Sequence, residues 1–239
     1  KMQWVTFSLL RFEGWRPQQW MLAEMQRGHG PLQTTRGLSF YKLLGSGGGN
    51  GFSIWPDWSV YALLAVWESQ EAAQSFFGHP KSYFHQLARR STEVYTLDLQ
   101  PRHVHGQWSG RQPFEAQKGE APRGPVAVLT RARIKWRHIP GFWRWVPGVS
   151  DELYSHSDCL LARGVGEWPL IQQATLSVWT TETAMKNYAY HNPSHREVIR
   201  QTRKRGWYSE EMFARFSVLN AHGTWEGANP LRPYLRSPE

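Results

Sequence analysis

The sequence predicts an α+β barrel made of two tandem ferredoxin-like βαββαβ repeats, and three observations predict it. The chain echoes itself: Val60-Tyr61-Ala62-Leu63-Leu64-Ala65-Val66-Trp67 recurs as Ile171-Gln172-Gln173-Ala174-Thr175-Leu176-Ser177-Val178-Trp179, and His105-Gly106-Gln107-Trp108 as His222-Gly223-Thr224-Trp225. Each echo falls at the same place in the same succession of strand and helix patterns. A ferredoxin-like sheet carries helices on one face only, so two copies in one chain can bury their open faces against each other.

The elements follow in order. Val5 to Phe12 and Val126 to Ile134 are β-rich starts of the two copies. Trp15 to Gln26 reads as a helix, and Gly141 to Tyr154 as a helix broken by Pro147. Two strands come next in each half, Leu38–Leu44 with Ser59–Trp67 and Cys159–Val165 with Gln173–Trp179. Longer helical regions, Gln70–Arg90 and Glu182–Arg205, are interrupted near Pro80 and Pro193, and Val94–Leu99 and Met212–Leu219 close the copies as strands. Residues 110–124, rich in Gly, Pro, Lys and Glu without periodicity, read as a linker. The organisation is therefore repeat 1 over residues 1–109, linker 110–124, repeat 2 over residues 125–227, and a tail over residues 228–239.

Composition narrows the function classes. With 28 Lys+Arg against 19 Asp+Glu among 239 residues the formal charge is +9, and 40% hydrophobic content marks a globular chain. The single cysteine, Cys159, excludes an intrachain disulfide and a Cys-rich metal site. The longest apolar stretch, Tyr61 to Trp67, is far short of the ~20 residues of a membrane helix. No charged-then-apolar segment opens the given sequence, and the single cysteine fits a reducing cytoplasm, where the chain is expected. The 14 tryptophans in a basic chain suggest an aromatic cavity, a nucleic-acid surface or a membrane-facing surface.

The motifs discriminate among these. Gly45-Ser46-Gly47-Gly48-Gly49-Asn50-Gly51 has neither the Lys-Ser/Thr of a phosphate loop nor dinucleotide spacing, and it lies between strands; it reads as a hairpin loop that can line the mouth of a cavity. The RNA-binding signature of ferredoxin-like domains is absent from both copies, which argues against nucleic acid. Asn192-Pro193 is a helix start and Gly206 a stop. Between them His195 lies one turn ahead of the apolar stripe Val198, Ile199, Thr202, so it points inward. A lone inward histidine is either a hydrogen-bonded core residue or, in an aromatic cavity, a haem iron ligand. Cys159 is the rival ligand, but its strand-start context reads as a small buried hydrophobe. His-Gly-x-Trp reads as a strand exit and turn, and Glu210-Glu211 either seats near the end of the His195 helix or is solvated. The arginines Arg196, Arg200, Arg203 and Arg205 form a solvated face, or hold propionates, an acidic donor or anionic lipid.

At these residues the chain resembles the spheroidene monooxygenase family of carotenoid-oxidising enzymes. The resemblance covers nearly the whole length. It is carried by Phe40-Tyr41-Lys42-Leu43-Leu44-Gly45-Ser46-Gly47 with Gly51-Phe52, by Gly106-Gln107-Trp108-Ser109-Gly110, and by Gly166-Glu167-Trp168-Pro169-Leu170 with Gln173 to Trp179. Its strongest run is His195 to Arg203 followed by Gly206-Trp207-Tyr208-Ser209-Glu210-Glu211-Met212-Phe213-Ala214-Arg215-Phe216. The family binds haem and oxidises an acyclic carotenoid such as spheroidene at C2. The resemblance therefore implies haem b on His195 as axial ligand, with O2 and a lipophilic substrate as reactants.

These readings combine into one expectation. The chain is a haem-dependent monooxygenase, with Arg200 and Arg203 as candidate propionate partners. Electrons come from an external donor, an acidic ferredoxin, because no flavin or nicotinamide motif is found. Peripheral contact with the inner membrane would deliver an apolar polyene. The alternatives are a haem- or lipophile-binding protein without oxygenase activity, and a haem dehydratase acting on a small substrate. One haem is expected, in repeat 2. In repeat 1 the position opposite His195 is Ser82 or Tyr83, depending on register, and a bulky Tyr83 can fill the volume a second cofactor needs.

Overall fold

The computed structural model describes residues 2–49, 51, 53–119, 124–144, 152–168, 170–191, 197, 200–202 and 204–235. The chain forms β1 (Trp4–Arg11), α1 (Trp15–Arg27), α2 (His29–Gln33), β2 (Leu38–Gly47), β3 (Pro56–Trp67), α3 (Gln70–Gly78), α4 (Tyr83–Ala88) and β4 (Glu93–Gly106). It continues with β5 (Val126–Ile134), a 3-10 turn (Trp136–His138), α5 (Ile139–Trp143), β6 (Cys159–Trp168), β7 (Gln172–Trp179), α6 (Glu182–His191) and β8 (Tyr208–Gly223). The strands close into an antiparallel barrel in the order β1-β3-β2-β6-β7-β5-β8-β4. Each half, β4-β1-β3-β2 and β8-β5-β7-β6, has the strand order of one ferredoxin-like unit, as the repeat predicts.

Alternation along the strands divides the molecule into three cores. In β1, Val5, Phe7 and Leu9 point into the barrel, while Trp4 and Leu10 point out toward the helices. The outward Thr6 and Ser8 are also buried; the Trp67 indole donates to Thr6 Oγ1 at 3.0 Å, and Ser8 and Thr96 share a hydroxyl bond of 2.8 Å. Inward residues from all eight strands, with Trp108, Phe114, Trp225 and Leu231, pack the interior. Among the described residues the barrel interior is thus a packed core. Ser69 and Ser82 cap α3 and α4 by accepting from Ala72 N and His85 N.

The halves join at two unequal seams. β4 and β8 pair from Tyr95↔Gly223 to Gly106↔Met212, whereas β2 and β6 pair only at Gly45↔Gly166 and Ser46↔Val165. The long seam explains why the closing strands exceed the expected Val94–Leu99 and Met212–Leu219. Gln100 to Gly106 is polar and contains Pro101, so it reads locally as loop, yet it pairs with β8 across a register shift between Pro101 and His103. The segment read as linker also packs: Phe114 is buried, and Gln3 bonds both Pro113 O and Glu115 N. Leu231 seats the start of the tail in the barrel core.

Candidate functional site

The two helix-covered faces differ in the side chains their strands present. On repeat 1 the sheet presents Leu10, Leu43, Tyr61 and Leu63, all buried against Met21, Leu32, Phe76, Phe84 and Leu87. Ring contacts of 4.9 Å (Trp67–Phe76) and 4.4 Å (Phe77–Phe84) fill the layer. Tyr83 is 5% exposed, and its hydroxyl donates to Glu24 Oε2 at 3.1 Å. A Cβ on Gly28 would come within 2.0 Å of that hydroxyl, so Tyr83 occupies its space completely. Ser82 is spent as a helix cap.

Strand register identifies the matching positions on repeat 2. Leu10 pairs with Tyr61 and Leu43 with Leu63; correspondingly, Ala132 pairs with Gln173 and Gly164 with Thr175. Three large apolar residues and a tyrosine are thus replaced by Ala, Gly, Thr and Gln. The floor is framed by aromatic groups. At one end His156, Trp179 and Tyr188 meet, with ring centroids 4.9–5.6 Å apart. The Tyr154 hydroxyl donates to Ala162 O beside them. At the other end Phe142 lies 6.0 Å from Trp207 and 6.1 Å from Tyr208, and the Trp143 indole donates to Leu170 O at 3.2 Å.

The Gly-rich loop belongs to this face. It is the β2–β3 hairpin connection, and it crosses onto the other repeat: Gly51, with φ +93°, abuts Gly164, and a Cβ there would lie 2.1 Å from Gly164 O. Arg163 anchors the approach with bonds to Ser46 Oγ (2.9 Å), Gly49 O (2.8 Å) and Asp57 Oδ2 (3.0 Å).

Of the residues expected to hold a cofactor, His195 and Arg203 lie outside the described residues. Arg200 is 64% exposed and bonds Glu197 twice at 2.8 Å. These bonds, with one from Gln201, draw the Glu197 carboxyl down to about 2. Cys159 is half-buried on β6, and desolvation pushes its thiol up to about 12. It is therefore poorly suited to thiolate ligation.

A second polar constellation was not foreseen. Arg131, 3% exposed, points into the barrel, pairs with Glu210, lies 3.6 Å from Glu167 and stands over the Trp108 ring. Glu167 also accepts the Trp108 indole at 2.6 Å and pairs with Lys42, while Glu210 accepts Ser109 N and Gly110 N. The readable signal was the inward alternation Ala127, Leu129, Arg131. At the opposite end Arg11, Glu93 and Trp225 repeat the pattern, with Glu93 accepting Gly227 N at 2.8 Å and Arg11 lying 4.5 Å from the Trp225 ring centroid. Both His-Gly-x-Trp motifs are the strand exits and turns expected, their glycines at φ +88° and +83°. A device present at both ends closes the barrel; the asymmetric feature is the repeat-2 face.

No family model matches the chain. It is 35% identical over 231 residues to the spheroidene monooxygenase of Cereibacter sphaeroides, covering 96% of this chain and 71% of that protein. It is 35% identical over 229 residues to the spheroidene monooxygenase of Rhodobacter capsulatus, covering 95% and 94%. Among solved structures, an aldoxime dehydratase in complex with butyraldoxime superposes with a TM-score of 0.64 over 97% of this chain and 86% of that one; at 12% identity this likeness concerns the fold alone.

Proposed function

The chain belongs to the spheroidene monooxygenase family, and from that premise we propose that it is a haem-dependent monooxygenase acting on an acyclic carotenoid such as spheroidene, at C2, with one haem b in repeat 2. The observation that supports the cofactor's place is the exchange of Leu10, Tyr61 and Leu63 on the first face for Ala132, Gln173 and Thr175 on the second, beside Gly164, whose outer side the Gly51 backbone covers. A flat macrocycle fits a floor of small side chains between aromatic ends and does not fit the packed layer around Tyr83.

Haem supplies the activation of O2, which side chains cannot perform. The chain's own residues hold and orient. His195 would hold the haem iron, a role one neutral imidazole can fulfil. Arg203 and Arg200 would pair with the propionates by charge-assisted bonds. Trp179, Tyr188, Phe142 and Trp207 offer apolar contact and exclude water. Electrons come from an external acidic ferredoxin, received at the basic surface.

Expression in cells that accumulate spheroidene tests the activity. Ketocarotenoid should appear, and should be lost with His195→Ala; an unchanged pigment profile from soluble, haem-loaded protein overturns the substrate assignment.

A further inference from the structure

Trp136 and Trp168 are 80% and 65% exposed, an arrangement that water disfavours. Both lie at one end of the barrel, where β5 ends and β6 turns into β7. Ile134 N donates to Ile171 O at 2.8 Å, and Ile171 N closes the β6–β7 turn onto Trp168 O at 3.3 Å. Trp136 stands two residues beyond Ile134, where β5 leaves the sheet. Both indoles therefore sit on a strand exit and a hairpin end, which project from the barrel.

Basic residues flank Trp136. Arg133, Arg137 and Arg205 are exposed, and Lys135 reaches Gly206 O at 2.8 Å. The His138 imidazole between them is held below its ordinary value, first by desolvation and then by the charges of Arg137, Lys135 and Arg205. These three cations thus share one local field. Indoles prefer the headgroup depth of a bilayer, and lysines and arginines beside them pair with lipid phosphates. Nucleic acid would need a groove that tracks its backbone, which a projecting strand exit and hairpin end do not form.

We propose that this Trp136–Trp168 end, with Arg133, Lys135, Arg137 and Arg205, is a docking surface for an anionic lipid bilayer. The surface follows from exposure and charge and does not depend on the oxygenase activity. One consequence does rest on that reading: α5 follows directly, and its Phe142 packs on the aromatic end of the repeat-2 face, so a polyene would leave the bilayer next to the site.

Co-sedimentation of the full chain with vesicles tests the proposal. Vesicles of phosphatidylcholine with one quarter phosphatidylglycerol should retain the protein, pure phosphatidylcholine should not, and high salt should release it. Each cation at the surface contributes about fivefold, so Arg133→Glu with Arg137→Glu should weaken partitioning by about 25-fold or more. Trp136→Ala with Trp168→Ala should weaken it as well. Trp55→Ala with Trp58→Ala, which alters exposed indoles at the other end of the barrel, should leave it unchanged. All these positions are exposed, and circular dichroism checks that each variant folds. The proposal is overturned by absence of vesicle binding, which would leave the surface to an acidic protein. Equal binding to neutral vesicles, or loss of binding in the Trp55/Trp58 variant alone, overturns it equally.

Discussion

Tyr83 and Gly28 illustrate how single residues close the helix-covered face of repeat 1. With the Tyr83 hydroxyl only 2.0 Å from where a Gly28 Cβ would stand, Gly28→Ala forces the ring or helix α2 to move. Overpacking of this kind costs about 1–3 kcal/mol, which should lower the melting temperature by about 2–12 °C in a calorimetric scan. An unchanged melting temperature would mean the layer is looser than described. Tyr83 as a filler was legible in the sequence, because a bulky aromatic stood where the repeat offered no imidazole. Arg131 left one signal, the inward alternation Ala127, Leu129, Arg131, and Glu167 left none, because a charge inside a strand pattern reads as solvated until the register shows which face it is on.

Cys159 supplies a second expectation at this scale. Burial pushes its thiol from an unfolded value of 9.0 to about 12. Below pH 9 both states keep the proton and the contribution to stability is complete. Between about 9 and about 12 the unfolded chain releases its proton while the folded chain retains it, so stability falls as pH rises. Iodoacetamide at pH 8.5 should therefore label Cys159 only after denaturation, and Cys159→Ser should flatten the alkaline decline. Rapid labelling of the native chain would contradict this.

Among the elements, the β2–β6 seam is the weak joint of the barrel. It has two backbone pairs, and side chains supplement it: Lys42 with Glu167 on one side, Arg163 with Ser46 and Asp57 on the other. Glu167→Gln removes the anion facing both Lys42 and Arg131. Losing a charge-assisted bond here should cost about 1.5–3 kcal/mol, or about 3–12 °C of melting temperature. Because β4–β8 holds the other seam along its length, the variant should still fold, with faster amide exchange in β2 and β6 than in β4 and β8. Uniform acceleration across all eight strands would show that the seams are equivalent. The strands themselves were legible wherever apolar alternation ran through them, as in β5, where sequence and structure share Val126–Ile134. Gln100–Gly106 escaped because its partner lies in the other repeat, and pairing between repeats leaves no local mark.

For the whole molecule, the duplicated architecture was legible because Val-Trp and His-Gly-x-Trp recur in order, and closure of the sheet follows from two open faces meeting. The proposed cofactor face was legible only in part. Ala132 and Thr175 look like ordinary strand residues until the register sets them against Leu10 and Leu63, and no local pattern announced that the Gly-rich loop would seat Gly51 on Gly164 of the other repeat. Duplication followed by unequal filling underlies the proposal of one ligand face, in repeat 2, with His195 as its iron ligand. Titration of apoprotein with haemin, followed at the Soret band, tests that claim most directly. One equivalent should bind to the wild type and to Tyr83→Phe, and none stably to His195→Ala. Two equivalents bound, or full binding by His195→Ala, would contradict it.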